Sequence, residues 1–177
     1  MIFVGIDCGK QGGIVVIDEK ENIMEKHIMP VIKIGKKIEY DIERISFLVS
    51  RWYEMKDAHV FVEKQYPRPI TSKRACFDIG YGYGILLTAL KISGLSTEIV
   101  TPQTWMKVMK ISSKNGKGSI SYCLKKYPKE DWTATERAKK VADGLTDACA
   151  IAIYGKRLIH GKDKDPAYFN RLLGRSS

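Results

Sequence analysis

The first eighteen residues, MIFVGIDCGKQGGIVVID, constrain the fold of this chain more than any other stretch. Ile2, Phe3, Val4 and Ile6 form a short, almost wholly apolar run of the kind that a sheet buries on both faces. A second run, Ile14 to Ile17, follows the turn Gly9-Lys10-Gln11-Gly12-Gly13. The pattern predicts a β-hairpin closed by a glycine-rich turn. Asp7 then stands at the end of a central strand, where a carboxylate is costly to bury unless a cation or a hydrogen-bond donor meets it. The amides of the turn are the simplest donors, and a bound cation is the other solution.

Further along, Asn22 to Met29 alternates like a third strand, closing a meander that Pro30 ends. Residues 31–40 read as a basic connection. Tyr40 to Met55 has apolar residues at Ile42, Ile45, Leu48, Val49 and Trp52, the spacing of a helix with one buried stripe, and Asp41 is its expected N-cap. His59-Val-Phe-Val-Glu63 is a second strand that ends in an acid, before Tyr66-Pro-Arg-Pro breaks regular structure. Taken alone Glu63 is a surface acid at a strand end; the repetition of the arrangement seen at Asp7 argues for more.

Thr71 to Leu95 is mostly helical in pattern. Gly80, Gly82 and Gly84 interrupt its first half among Phe77, Tyr81 and Tyr83. Each glycine costs about 1 kcal/mol against alanine inside a helix, so three predict a kink or the close approach of another backbone, at a dimer face or a nucleic-acid platform. They do not sit between a strand and a helix start, so a dinucleotide-binding GxGxxG reading fails. Ser96 to Val100 is a fifth strand. Thr101-Pro102 opens a helix to about Met109, threonine capping and proline in its first position. Ser112 to Ser119 reads as a basic loop suited to phosphates or as a plain solvated linker, Ile120 to Tyr127 as a short helix, and Thr133 to about Ile159 as one long last helix.

That last helix places Asp143 and Asp147 one turn apart on a face shared with Ala150 and Tyr154, opposite Val141, Leu145, Ala148 and Ala152. Its apolar stretch, Ala148 to Ile153, predicts burial on all sides. Lys139 and Lys140 offer a plain salt-bridge or capping explanation for the pair. The other explanation joins them to the strand-end acids. Asp7, Glu63, Asp143 and Asp147 together make an all-oxygen set without histidine or thiolate, which suits Mg²⁺ or Mn²⁺, and such clusters commonly hold two ions roughly 4 Å apart that clamp a phosphodiester. A net charge of +10 on 177 residues points to a polyanionic partner. The four cysteines, Cys8, Cys76, Cys123 and Cys149, lack metal-ligand spacing and read as reduced core residues. No apolar stretch stands out at the roughly 18 residues of a membrane span and no leader is recognisable, so a cytoplasmic protein, of a bacterium or a phage-infected cell, is expected.

The order of meander, helix, strand ending in Glu63 and last helix with Asp143-x-x-x-Asp147-Ala148 resembles the RuvC-type Holliday junction resolvases of the RNase H-like superfamily. Gly5-Ile-Asp7, Phe61-Val-Glu63, Thr101-Pro-Gln-Thr-Trp105 and Asp143-Gly-Leu-Thr-Asp147-Ala148 look most like its phage-borne branch. The resemblance covers roughly residues 2–155. It implies an α/β fold with a five-stranded mixed sheet flanked by helices, as a nuclease domain over 1–160 with a basic extension over 161–177. It also implies a homodimer that nicks four-way junctions, with Asp7, Glu63, Asp143 and Asp147 holding two Mg²⁺ or Mn²⁺ ions and Asp147 the better match for the inner ligand. An aromatic that unstacks the junction falls on Tyr66, and loop lysines on Lys114 and Lys117; Lys10 and Arg68 complete the expected nucleic-acid contacts. The alternatives are a branched-DNA-binding protein with weak or no catalysis and an RNase H-type nuclease acting on RNA–DNA hybrids. The Gly5-Ile-Asp7-Cys-Gly9 hairpin is also similar to the phosphate loop of sugar-kinase ATPases, whose second domain does not fit in this length, so no nucleotide cofactor is expected.

Overall fold

A computed structural model describes residues 1–67, 69–112, 118–135 and 137–164. The glycine-rich turn joins β1 (Ile2–Asp7) to β2 (Gly13–Asp18), paired antiparallel from Ile2 with Asp18 to Asp7 with Gly13. β3 (Ile23–Ile28) pairs antiparallel with β2 and completes the expected meander. Residues 31–40 correct the expected connection: β4 (Val31–Ile34) and β5 (Lys37–Tyr40) form a separate two-stranded hairpin. Its turn contains Gly35 at φ +62°, a backbone conformation that glycine adopts without steric cost.

Asp41 caps α1 (Ile42–Glu54) through a 2.9 Å bond from the Arg44 amide, and the helix buries Ile45, Leu48, Val49 and Trp52. β6 (Ala58–Glu63) runs parallel to β1. Next come α2 (Lys73–Ile92), β7 (Ser96–Val100) parallel to β6, α3 (Pro102–Met109), α4 (Gly118–Lys126) and α5 (Asp143–Lys164). The main sheet has the order β3-β2-β1-β6-β7, five strands of mixed direction.

Strand parity assigns the two faces of this sheet. Ile2, Val4, Ile6, Ile14, Val16, Val60 and Val62 point into a core shared with α1 and α2; Phe3, Val15, Ile17 and Phe61 point into the other, which contains α5. Asp7 has the parity of Phe3, and Glu63 that of Phe61. Both strand-end acids therefore face the α5 side.

α5 reaches the sheet backbone to backbone. A Cβ on Gly5 would lie 2.0 Å from the Ala148 carbonyl oxygen, and one on Gly144 would lie 2.5 Å from the Gly12 Cα, so neither position admits a side chain without displacing the helix. Every residue of α5 from Leu145 to Tyr154 except Asp147 is buried, as its apolar pattern predicts.

Several expectations change. The last helix begins at Asp143 and not at Thr133: Thr133 bridges Val141, and the Ala142 amide bonds the Trp132 carbonyl at 2.8 Å, which holds the intervening chain outside the helix. α4 begins at Gly118, two residues before the expected start. α2 runs as one helix through its three glycines. Gly82 alone meets a close neighbour, the Tyr40 ring rather than a backbone, whereas Gly80 and Gly84 face open space. By length and composition α2 is also apolar enough to cross a membrane, contrary to the expectation that no stretch reaches that length; its glycines and alanines conceal the run from the eye. All four cysteines are free, but Cys76 is only half-buried and does not belong to the core.

Candidate active site

The parallel register sets Ile6 beside Val62, so Asp7 and Glu63 end neighbouring strands one step further on. Asp147 comes up to them from the first turns of α5. The three share one electrostatic environment. Burial, then the charges of Glu63 and Asp147, raise the Asp7 carboxyl from an ordinary 3.8 to about 7, against the bonds from the Gly9 amide and Gln65. Burial raises Glu63, opposed by the Trp105 indole and reinforced by Asp147. Asp147 is raised by burial too, opposed by a hydrogen bond from Ser119 and reinforced by Asp143.

Donors meet these carboxylates only in part. The Gly9 amide donates to Asp7 Oδ1 at 3.4 Å, a long bond. Gln65 Nε2 lies between the strand ends, 3.5 Å from Asp7 Oδ1 and 3.3 Å from Glu63 Oε2. The one short bond to these carboxylates among the described residues is Trp105 Nε1–H to Glu63 Oε1, at 2.9 Å. Among the described residues no lysine or arginine pairs with Asp7, Glu63, Asp143 or Asp147; the lysine bridges run to Glu39, Asp78, Glu130 and Glu21. The salt-bridge explanation from Lys139 and Lys140 is thereby corrected. Also among the described residues, no three acidic, thiol or imidazole side chains close into a ready metal cage.

Asp143 stands apart. It is the exposed first residue of α5, where a negative charge is favoured by the helix dipole, so its position also satisfies the capping explanation. With Asp7 and Asp147 it lines a cleft of about 600 Å³ between the glycine-rich turn and residues 138–144, whose wall includes the exposed Lys140. Lys10 lines the same cleft, but its ammonium lies 3.7 Å from Glu39 and 3.6 Å from Asp78, tying the turn to β5 and α2. Tyr66 leaves the sheet just past Glu63 and is 53% exposed, with the Lys64 ammonium 4.9 Å from its ring centroid. Arg68, Lys114 and Lys117 lie outside the described residues.

No family model and no curated protein matches this chain. Among solved structures, Thermus thermophilus RuvC in complex with a Holliday junction substrate is similar at a TM-score of 0.62 and 17% identity, over 91% of this chain and 96% of that one. The chain has a RuvC-like fold. A second Thermus thermophilus RuvC structure matches at a TM-score of 0.54 and 16% identity, over 91% of this chain and 97% of that one. The five-stranded mixed sheet with flanking helices is thus the RNase H-like arrangement that the order of elements implied.

Three site neighbours escape a reading of the sequence alone. Gln65 carried one signal, its place two residues beyond Glu63. Trp105 stood inside the Thr101-Pro-Gln-Thr-Trp105 segment without a role, and Ser119 had no signal beyond its basic loop.

The raised Asp7 pKa has a consequence for stability. The folded state holds that proton more tightly than the unfolded one, so the contribution is complete below the unfolded value and is lost as pH rises through the folded one. In chelator-containing buffer, wild type should lose stability relative to Asp7→Asn between about pH 4 and pH 7. The difference between the two melting temperatures isolates the effect, because Glu21, which burial pushes up but Lys126 and Lys156 hold below its ordinary range, acts with the opposite sign. A difference that stays constant over this interval contradicts the assignment.

Proposed function

We propose that this chain is a divalent-cation-dependent endonuclease that resolves four-way DNA junctions, of the phage-borne RuvC type. The observation that carries the reading is the convergence of Asp7, Glu63 and Asp147 from two strand ends and a helix onto one face of an RNase H-like sheet. These residues fit Mg²⁺ or Mn²⁺. Their donors are all oxygen, no cationic side chain among the described residues neutralises them, and burial together with a neighbouring carboxylate raises each of the three pKa values, a repulsion that a hard cation would relieve. Asp7, Glu63 and Asp147 would hold such a cation, whose chemistry there would be to polarise a phosphodiester and lower the pKa of a bound water.

In this reading Asp7, Glu63 and Asp147 are the inner donors, and Asp143 at the cleft mouth serves as an outer one. Gln65 donates to two of these carboxylates, a contact that a bound cation would replace or share. Lys140 on the cleft wall faces the phosphate backbone, in keeping with the net charge of +10. Asp147→Asn should lower cleavage of a labelled four-way junction in Mg²⁺ by about two orders of magnitude while leaving junction binding in EDTA nearly unchanged, since the basic surface is intact. Undiminished nicking by that variant excludes the site.

Tyr66 is assigned to the junction. An exposed ring three residues past Glu63 can stack on a base freed at the branch point, worth about 1–3 kcal/mol per base. Tyr66→Ala should slow cleavage of a junction that must be unpaired, spare a pre-opened one and hardly move the melting temperature. Equal slowing on both substrates with a large loss of melting temperature would make the ring a structural one.

We also propose a C₂ homodimer formed through α2, which would set two clusters on opposing strands. Phe77, 71% exposed, stacks on Tyr81 with centroids 6.0 Å apart, and the open Gly80 and Gly84 lie on the same helix. Beside them a groove of about 810 Å³ runs under the β4–β5 hairpin, lined by Ile32, Ile34, Phe77 and Tyr81. Light scattering at micromolar concentration should give a dimer for wild type and a monomer for Phe77→Asp; a wild-type monomer with and without DNA counts against it.

A further inference from the structure

We infer that Trp105 is a positioning residue for Glu63, and that the Thr101-Pro102-Gln103-Thr104-Trp105 segment exists to place its indole N–H against one carboxylate oxygen. The inference rests on the reading of the carboxylates as a cation site. β7 and β6 are paired so that Val100 stands opposite Glu63, and the Lys64 amide bonds the Val100 carbonyl at 2.7 Å. The chain therefore leaves β7 level with the glutamate. Thr101 caps α3 at once, its hydroxyl accepting from the Thr104 amide at 3.3 Å, and Pro102 presets the first helical residue. A helix begun at that point brings its fourth residue back over the strand end.

That residue is Trp105, whose ring is buried at 2% exposure in the α5-side core with Phe61, Val100 and Met109. A ring locked by packing cannot follow a moving carboxylate. Its N–H instead holds Oε1 of Glu63 at 2.9 Å, leaving Oε2 turned toward Gln65, the side chain that also reaches Asp7. Trp52 and Trp132 provide the contrast: their indole nitrogens are buried without a hydrogen-bond partner. Of the three indoles, Trp105 is the one spent on a functional carboxylate. A donor bonded to Oε1 removes one rotational freedom of Glu63 before any cation binds, which is how an outer partner raises the affinity of a ligating carboxylate.

The test uses the three indole N–H signals in a ¹⁵N–¹H spectrum of the full chain, with Mg²⁺ alone as the probe. The signal that Trp105→Phe removes should move as Mg²⁺ is added, together with the Gly9 amide bonded to Asp7. In Trp105→Phe, the Mg²⁺ needed to half-saturate the Gly9 shift should rise about tenfold, with the melting temperature in chelator changed by only a few degrees. An unchanged half-saturation overturns the positioning role and leaves the cation site standing. If Trp105→Phe does not fold, the wild-type titration decides alone: a Gly9 amide that moves while all three indole signals stay still overturns the proposal. If neither the Gly9 amide nor the melting temperature of wild type responds to Mg²⁺, the cation site fails and the positioning role with it.

Discussion

Everything that the site requires depends on how closely α5 lies on the β1–β2 hairpin. Gly12 and Gly144 bridge backbone to backbone, and Gly5 sits directly under the Ala148 carbonyl. With small residues on both sides, the helix approaches the sheet at a distance that branched side chains would forbid, and dispersion contacts are made along the whole buried stretch from Leu145 to Tyr154. The same contact sets where the helix begins. Asp147, one turn in, is thereby delivered to the ends of β1 and β6.

Concentrating carboxylates in this way works against the fold. Burial raises all three acids, Glu63 and Asp147 add to it at Asp7, Asp147 at Glu63 and Asp143 at Asp147, and the donors among the described residues, a long Gly9 bond, a shared Gln65 amide, the Trp105 indole and Ser119, offset the burden only in part. Elsewhere the chain follows the local rules: both sheet faces are apolar, and the helix caps at Asp41, Ser72 and Thr101 are satisfied. A cluster of buried carboxylates that departs from those rules is what a functional site produces, because the interactions that would relieve it are those made with a ligand.

The errors of local reading have identifiable causes. The β4–β5 hairpin was hidden because its strands are four residues long and mostly exposed, with only Tyr40 fully buried, and that burial is a tertiary event: its hydroxyl bonds the Cys8 carbonyl at 3.1 Å and its ring fills the place of a Gly82 side chain. Residues 133–142 hold good helix formers, yet the bridge from Thr133 to Val141 and the contact at Gly144 override propensity. Lys10, expected to contact nucleic acid, also has tertiary partners that its own stretch of chain does not reveal. Its partners, Glu39 and Asp78, come from elements far away in sequence.

By itself the sequence determined the meander, the strand that ends in Glu63, the caps of α1 and α3 and the buried stretch of α5. Parity ties Asp7 to Phe3 and Glu63 to Phe61 within their own strands, but the two acids share a side of the sheet because of the register in which β1 pairs with β6. Only the tertiary structure decided that Asp147 and not Asp143 joins them, that Gln65 bridges them and that Trp105 holds Glu63. Periodicity is a property of the local backbone and is written into neighbouring residues, so it says which face of its element a side chain occupies. How near two faces come depends on what lies between them, here glycines at positions 5, 12 and 144, and that distance exists only once the elements have packed.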